Sequence, residues 1–460
     1  MVLAVRDLGL SPDGVVRKLV TARFLDASGA PTEILAGGDV AFVPDSTAAR
    51  AQWQTRLRFG GPAAIVSFAA PAVATVTVRA NVGPPVPAAR IRIDARPTRP
   101  LATAGVLGPR TVQLAWFPAA AGDTVRIVRT GGNGPPTLAL VAAPAATYRD
   151  TSVLPGRRYC YAIRFGGGRP PATLAAATPP EPRGAPLGRI AGKKMWLSFS
   201  PSPRDPNGYD TLDAAATVAQ ARAAGIRAIE LRVAYGPFWE ITDAARPAVD
   251  ALLDAAAASG IAVIAWTVPR STAFEDLATA ERAASYRTAR GTRFAALALD
   301  LERGDDFLGS GPAGFAALAS YAGSVRAALG PRYPLVATVE DPFLEHLGAN
   351  DVPYPAIAAS VDVLQPMAYW RMLSRKAVTP EAVRAALRGS YAAARAAAGR
   401  PIAIDLGGQT AGEGPRGAPP PAEIAAAVAQ ARRLGAFGIT FFDWDGTSGA
   451  QWAALARARW

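Results

Sequence analysis

Phe294-Ala-Ala-Leu-Ala-Leu-Asp-Leu-Glu302 is an apolar run of strand length that ends in two acids, and its reading decides the fold of the last part of the chain. Alternate residues of a strand point to opposite faces. Asp300 and Glu302 therefore share one face, and Leu299 and Leu301 the other. Seven runs of the same kind flank it: Lys194–Phe199, Ala228–Val233, Ala262–Thr267, Leu335–Val339, Val361–Ala368, Pro401–Leu406 and Gly438–Phe442. Ala-rich amphipathic stretches separate them. Asp210–Ala224 opens on the capping pattern Asp210-Thr-Leu-Asp213, and Arg246–Ser259 is closed by Gly260. Eight strand–helix units in about 270 residues are the count and size of an α/β (β/α)8 TIM barrel, expected over 188–460. The alternative, a doubly wound open sheet, needs a Gly-rich phosphate loop after its first strand. Ser198-Phe-Ser-Pro-Ser-Pro203 is not one.

Upstream the periodicity changes. Residues 1–88 read as short alternating strands, among them Val16–Leu25, Asp39–Val43, Ala64–Phe68 and Ala74–Ala80, with a turn at Asp26–Pro31. The Pro-rich segment Val82–Pro87 is a stiff linker. Residues 89–178 form a second β module, with strands at Thr111–Trp116 and Thr124–Thr130 and Trp116 as its core anchor. A second Pro/Gly linker, Thr178–Pro186, leads into the barrel. The first module resembles bacterial Ig-like modules of the invasin type, through Asp26-x-x-Gly-x-Pro31, a Gly-Gly turn, Val-x-Phe and a closing Val-Thr-Val-x-Ala80. Leu154-Pro-Gly-Arg-Arg-Tyr-Cys-Tyr-Ala-Ile163 resembles the corner motif of fibronectin type III domains. These resemblances imply two immunoglobulin-like sandwiches.

The formal charge of +13 is unevenly spread: residues 1–187 hold 21 Lys+Arg against 10 Asp+Glu. A basic surface attracts polyanions; the plainer reading is a composition that writes Arg for Lys. No nucleic-acid motif is present, which argues against a nucleic-acid partner. No run of eighteen apolar residues is present, so no membrane span is expected. Cys160 is the one cysteine, and its strand setting reads as buried core. Met1–Asp7 lacks a charged segment followed by an apolar one, so no secretory signal is read there.

In a TIM barrel the site lies at the C-terminal ends of the strands. Polar residues gather at those ends: Ser198 and Ser200, Glu230 and Arg232, Asp300 and Glu302, Glu340 and Asp341, Gln365 with Tyr369, Asp405 with Gln409, and Asp443 with Asp445. Trp196, Tyr235, Trp239, Trp266, Trp370 and Trp444 are interleaved with them. Acids plus flat rings at one mouth suit a sugar, because rings stack on its apolar faces while acids handle its hydroxyls and glycosidic oxygen. A Glu beside an ionised Asp in a confined site has its pKa raised, as a general acid requires. The structural alternative is a pair neutralised by Arg232 or Arg303. Glu230 is expected to pair with an arginine, and Gln365 to fix a neighbouring acid or bind a hydroxyl. Glu340 and Asp341 are either a second catalytic acid or a turn before Pro342. With His346 the single histidine, neither a transition-metal site nor a Ser-His-Asp triad is expected, and no cofactor is needed. Asp305 and Asp306 read as a solvated loop, with Ca²⁺ binding the alternative. Gly407–Pro421, rich in Gly and Pro, reads as a lid.

Taken together, the barrel resembles the family-18 (chitinase-like) glycoside hydrolases. Their D-x-E is matched by Asp300 and Glu302, their M-x-Y by Met367-Ala-Tyr369, and their aromatic-then-acid end of strand eight by Phe441-Phe-Asp-Trp-Asp445. The resemblance implies Glu302 as proton donor, Asp300 orienting the substrate's acetamido group, Tyr369 bonding to it, and Trp444 flooring the sugar subsite. The two earlier acids of the family's longer signature are here Ala295 and Ala298, and Trp370 stands where an acid or amide often follows the tyrosine. An ordinary carboxylate pair, Glu302 with Glu340, Asp405 or Asp443, therefore stays open. Met367, Trp266, Trp370, Glu230, Glu340, Gln365, Asp405, Trp444 and Asp445 are the expected substrate-binding residues. The expected partner is an extracellular or cell-wall polysaccharide, with the protein outside the cell or at its surface. The rival reading is a non-catalytic glycan binder or a structural subunit of a surface filament, phage tail or injection-system particle, self-assembling through the β modules.

Overall fold

The computed structural model describes the chain outside residues 11–13, 26–27, 29–30, 33–38, 48, 55–62, 69–71, 82–86, 97–101, 118–123, 133–135, 143–144, 167–169, 180–181, 199–211, 237, 271–273, 305–306, 309–310, 349–350, 374–377 and 413–415. Eight parallel strands close into a barrel: β1 (Gly192–Leu197), β2 (Ala228–Tyr235), β3 (Ala262–Val268), β4 (Ala296–Leu301), β5 (Leu335–Val339), β6 (Val363–Pro366), β7 (Ala403–Gln409) and β8 (Gly438–Phe442). Each pairs with its neighbours in chain order, and β1 pairs with both β2 and β8, which removes every edge of the eight-strand ring. The expected barrel is therefore present, and the open sheet is not.

Strand alternation sorts the side chains. Met195, Leu197, Ile229, Leu231, Val263, Ala265, Leu297, Leu299, Leu364, Leu406 and Ile439 turn outward and pack with the helices in one large core. Trp196, Ala228, Ile264, Trp266, Ala296, Ala298, Val336, Val363 and Met367 form a separate apolar cluster that fills the barrel. The helices end on local signals. Asp213 caps Ala214–Ala223 by accepting from the Ala216 N–H at 2.9 Å, so the cap sits three residues beyond the expected Asp210, which lies outside the described residues. Arg246–Ala258 ends at Ser259 and Gly260, as expected. The buried Lys193 ammonium donates to the carbonyls of Ala224, Leu455 and Ala458, tying the last helix to the start of the barrel.

The N-terminal part consists of antiparallel sheets. Strands Val2–Leu10, Val16–Leu25, Ala49–Gln54 and Ala63–Phe68 make one sheet, and Asp39–Pro44, Val73–Asn81 and Ala89–Asp94 another. Val20, Phe24, Val66 and Phe68 from the first meet Phe42, Val76, Val78 and Ile93 from the second in a common core. Ala89–Asp94 pairs with Val73–Asn81, so this strand, read from sequence as the start of the second module, is built into the first. The second unit stacks a three-stranded sheet against a four-stranded one around Trp116, Tyr159 and Tyr161. The Tyr159 hydroxyl accepts from the Leu154 N–H at 2.7 Å, and the Tyr161 hydroxyl donates to Asp150 at 3.0 Å. Cys160 corrects the sequence reading: it is exposed, because Tyr159 and Tyr161 take the inward face and leave the residue between them outside. Strand Ala102–Gly108 packs on helix Gly311–Leu329, where Gly323 leaves room for the Val106 carbonyl. No helix among the described residues is long and apolar enough to cross a membrane.

Gly438 opens β8 where Lys194 and Asp405 meet inside the barrel. A Cβ there would lie 2.5 Å from Lys194 Nζ, 2.6 Å from Asp405 Oδ1 and 2.6 Å from the Gly192 carbonyl. Gly438→Ala should therefore destabilise the protein by about 1–3 kcal/mol in urea unfolding. Gly449→Ala, which meets nothing within 4 Å, is the neutral control.

Candidate active site

The inward faces of the strands divide into two polar tiers. The lower tier is sealed. Glu230, Asp405, Gln365, Thr440 and Lys194 are all 1% exposed or less, and Thr338, equally buried, stands at the boundary with the cavity above. The Gln365 amide nitrogen lies 2.9 Å from Glu230, 2.6 Å from Asp405 and 2.9 Å from Thr440, while its oxygen accepts from Thr338 at 2.5 Å. Lys194 stands 2.7 Å from the Asp405 carboxylate. Burial pushes Glu230 up, with Asp405 adding to that and Lys194 opposing it. The expected arginine partner of Glu230 is thus replaced by this tier, because Lys194 on the adjacent strand points into the same interior. Gln365 does fix neighbouring acids, and none of Glu230, Gln365 and Asp405 lines the open cavity.

The upper tier does. A cavity of about 340 Å³ at the C-terminal ends of the strands is lined by Trp196, Arg232, Tyr235, Trp266, Asp300, Glu302, Thr338, Glu340, Glu345, Met367, Tyr369 and Phe442, among others. That volume sits at the lower end of ordinary small-molecule sites. Trp196 is at the centre of the rings: Trp266, Tyr369 and Phe442 lie with their centroids 6.4, 6.4 and 6.1 Å from it. Asp300 accepts from the Trp266 indole N–H at 3.1 Å. Ala298, one pleat below, belongs to the apolar filling.

Asp300 and Glu302 share the inward face at the end of β4, and each shifts the ionisation of the other. Burial raises both. The charge of Asp300 then raises Glu302 further, whereas the Trp266 N–H and Arg232 oppose the rise of Asp300. Both are held above the usual carboxylate range, Glu302 further than Asp300. Neither candidate arginine neutralises the pair. Arg232 makes a two-point pair with Glu240, at 3.0 Å for each bond, and its guanidinium lies over Trp266 and Tyr235. Arg303 binds Glu340 Oε1 at 2.9 Å through its side chain and 3.2 Å through its N–H, and approaches Glu345 at 3.9 Å. Glu340 and Asp341 separate in role. Glu340 faces the cavity, while Asp341 is buried and accepts from the Phe343 and Leu344 N–H groups, as a turn residue does.

Several expected residues lie elsewhere. Trp370 is buried beneath, its indole donating to Glu423 at 3.0 Å. Trp444 packs edge-on against Trp452 at 4.7 Å, Asp443 accepts from the Gly446 N–H, and Asp445 is exposed. Trp239 stacks near Tyr286. Phe442, followed by a cis peptide to Asp443, supplies the ring at the end of β8. The sequence reading put Trp444 in that role; the parity of β8, with Phe441 outward, was the available signal for Phe442. Glu345 was also missed, and its signal is the spacing of four from Asp341, whose N–H it accepts at 3.0 Å. The described part of Gly407–Pro421 is fastened rather than free: Arg371 donates to Arg416 O, and Gln451 to Thr410 O and Pro419 O. Ser200, Asp305 and Asp306 lie outside the described residues.

No family model and no curated protein matches the chain. Solved structures of similar fold include a chitinase from Chromobacterium violaceum, at 12% identity over 58% of this chain and 98% of that one with a TM-score of 0.41. A GH5 xyloglucanase from Bacteroides ovatus is 12% identical over 78% and 96%, with a TM-score of 0.37. A spore cortex-lytic enzyme from Bacillus cereus is 12% identical over 58% and 74%, with a TM-score of 0.40. At such identities the likeness is one of fold. The class defined by the chain's own coordinates is an eight-stranded parallel barrel carrying a carboxylic pair in an aromatic cavity.

A carboxyl whose folded pKa is raised contributes stability below its unfolded value and loses it as pH rises through the folded value. Glu302→Gln cannot ionise. Its melting temperature should therefore gain on the wild type between pH 4.5 and 8, a difference of about 1–3 kcal/mol in unfolding free energy at the upper end. Parallel melting curves at every pH would contradict a buried acid at 302.

Proposed function

We propose that the barrel is a glycoside hydrolase of an extracellular or cell-wall polysaccharide, with Glu302 as the general acid. The observation that carries this is the Glu302–Asp300 pair, on one face at the end of β4, in a cavity walled by Trp196, Trp266, Tyr369 and Phe442. Trp266, Tyr369 and Phe442 line the cavity around a buried Trp196, and rings of this kind stack on the apolar faces of a sugar. Glu302 is the group able to protonate a glycosidic oxygen at neutral pH.

The family-18-like version of the reaction fits this placement and belongs to the same proposal. The glycosidic oxygen takes the proton of Glu302 as its bond to the anomeric carbon breaks. The acetamido oxygen of an N-acetyl sugar closes onto that carbon from the other face, held by Asp300 and the Tyr369 hydroxyl. Water then opens the ring, returning a proton to Glu302, and configuration is retained. Glu340 is the remaining cavity carboxylate for the ordinary two-acid version, in which the separation of the carboxyl groups sets the stereochemical outcome. The N-terminal units serve as spacers or adhesive modules. Two facing sheets in each unit, and the Tyr159 corner, support their reading as Ig-like and fibronectin type III-like.

Release of reducing ends from chitin, peptidoglycan and mixed polysaccharides is the direct test. Glu302→Gln should lower kcat/KM on the cleaved substrate by at least about 100-fold. The activity should peak at neutral pH or above, because Asp300 must ionise and Glu302 must not, and both titrate above the usual carboxylate range. Equal activity in the variant would remove Glu302 from the mechanism. Glycan binding without turnover would move the assignment to a binding module.

A further inference from the structure

The basic excess of the N-terminal half has a definite location on the second β unit. Its four-stranded sheet turns Val125, Ile127, Tyr159, Tyr161 and Ile163 into the core, so Arg126, Arg158, Cys160 and Arg164 point outward and are exposed. Arg126 and Arg164 are directly opposite each other on neighbouring antiparallel strands. Like charges in that register repel, and an isolated sheet gains nothing from placing them there. No described acid offsets them. Among the described residues between 102 and 179 the single carboxylate is Asp150, which is buried and held by Arg129 at 2.8 Å on the other side of the sheet. Arg126, Arg158 and Arg164 have no ion-pair or hydrogen-bond partner among the described residues. The rest of this face among the described side chains is uncharged: Val128, Thr130, Ala162, Thr173, Ala175 and Ala177, with Leu140 opposite Arg126 and 63% exposed.

We infer that this face is a docking surface for a linear anionic polysaccharide, its carboxylate or phosphate groups seating between Arg126 and Arg164 and again at Arg158. Six residues of extended strand separate Arg158 from Arg164, about 20 Å, which is the reach of a chain with repeated charges and not of a single ion. An uncharged floor of alanine, threonine and Val128 lets such a chain lie along the strands. No aromatic side chain stands on this face among the described residues, so bases have nothing to stack on. The same Arg pair between two strands gives two-point geometry for a carboxylate or phosphate. The inference stands apart from catalysis in the barrel, since it uses none of the cavity residues.

Binding of the full chain to polygalacturonate and to inorganic polyphosphate, measured by fluorescence anisotropy at several salt concentrations, tests it, with dextran, single-stranded DNA and phosphatidylglycerol vesicles as competitors. The expected result is salt-sensitive binding to polygalacturonate, weakened at least tenfold in Arg126→Ser/Arg164→Ser; binding to polyphosphate alone would overturn the inference. Arg384→Ser/Arg388→Ser, on a barrel helix, should bind like the wild type, and so should Glu302→Gln. Unchanged affinity in the Arg126/Arg164 variant overturns the inference. So does Arg126- and Arg164-dependent binding that prefers DNA or vesicles to both polymers. Glu302→Gln that binds but does not cleave separates this surface from the fate of the hydrolase proposal.

Discussion

A closed parallel barrel allows its strand residues two directions, and the helices outside claim one of them for apolar side chains. Whatever stands at the other positions must fill a narrow interior that water does not reach except at the mouth. This chain fills it with an apolar cluster, a sealed polar tier around Gln365 and an upper tier open to solvent. The sealed tier is the demanding one. Two carboxylates and one ammonium are buried together, and such groups are tolerable only while each has its partner. Lys194, Gln365 and the bare Cα of Gly438 are what make that partnership fit.

The open tier inherits its chemistry from the same confinement. Asp300 and Glu302 are one pleat apart, so they meet; they are enclosed, so neither ionises easily; and the Trp266 N–H and Arg232 favour the charge on Asp300. Glu302 is thereby held neutral to higher pH than Asp300. Arg232 and Arg303 could have cancelled the pair, but Glu240, Glu340 and Glu345 occupy them. The result is a poised acid under four aromatic rings, and the proposed function rests on it.

The N-terminal units follow a different logic, with one face of each sheet in a core and the other in water. In the second unit that freedom leaves arginines facing one another with no acid near among the described residues. The barrel and the β units thus carry separate kinds of recognition: shape, stacking and proton transfer inside a cavity, and charge along an exposed sheet.

The strand alternation and the eight-unit count were legible in the sequence, because burial on two different faces leaves a periodic trace in residue type. The D-x-E pair was legible for the same reason, since a spacing of two fixes a common face. Cys160, Ala89–Asp94, Trp370 and Trp444 were not. A strand written in apolar and small residues does not say which sheet it joins or which of its faces is wet, and Trp370, just beyond a strand end, turns toward Glu423 because helix packing places Glu423 there. Nor could a list of acids say that Glu230 and Asp405 would be sealed with Lys194 while Glu302 stayed at the mouth. Sequence spacing fixes direction across a strand; only closure of the barrel fixes height along its axis, and height decides which carboxyl meets solvent.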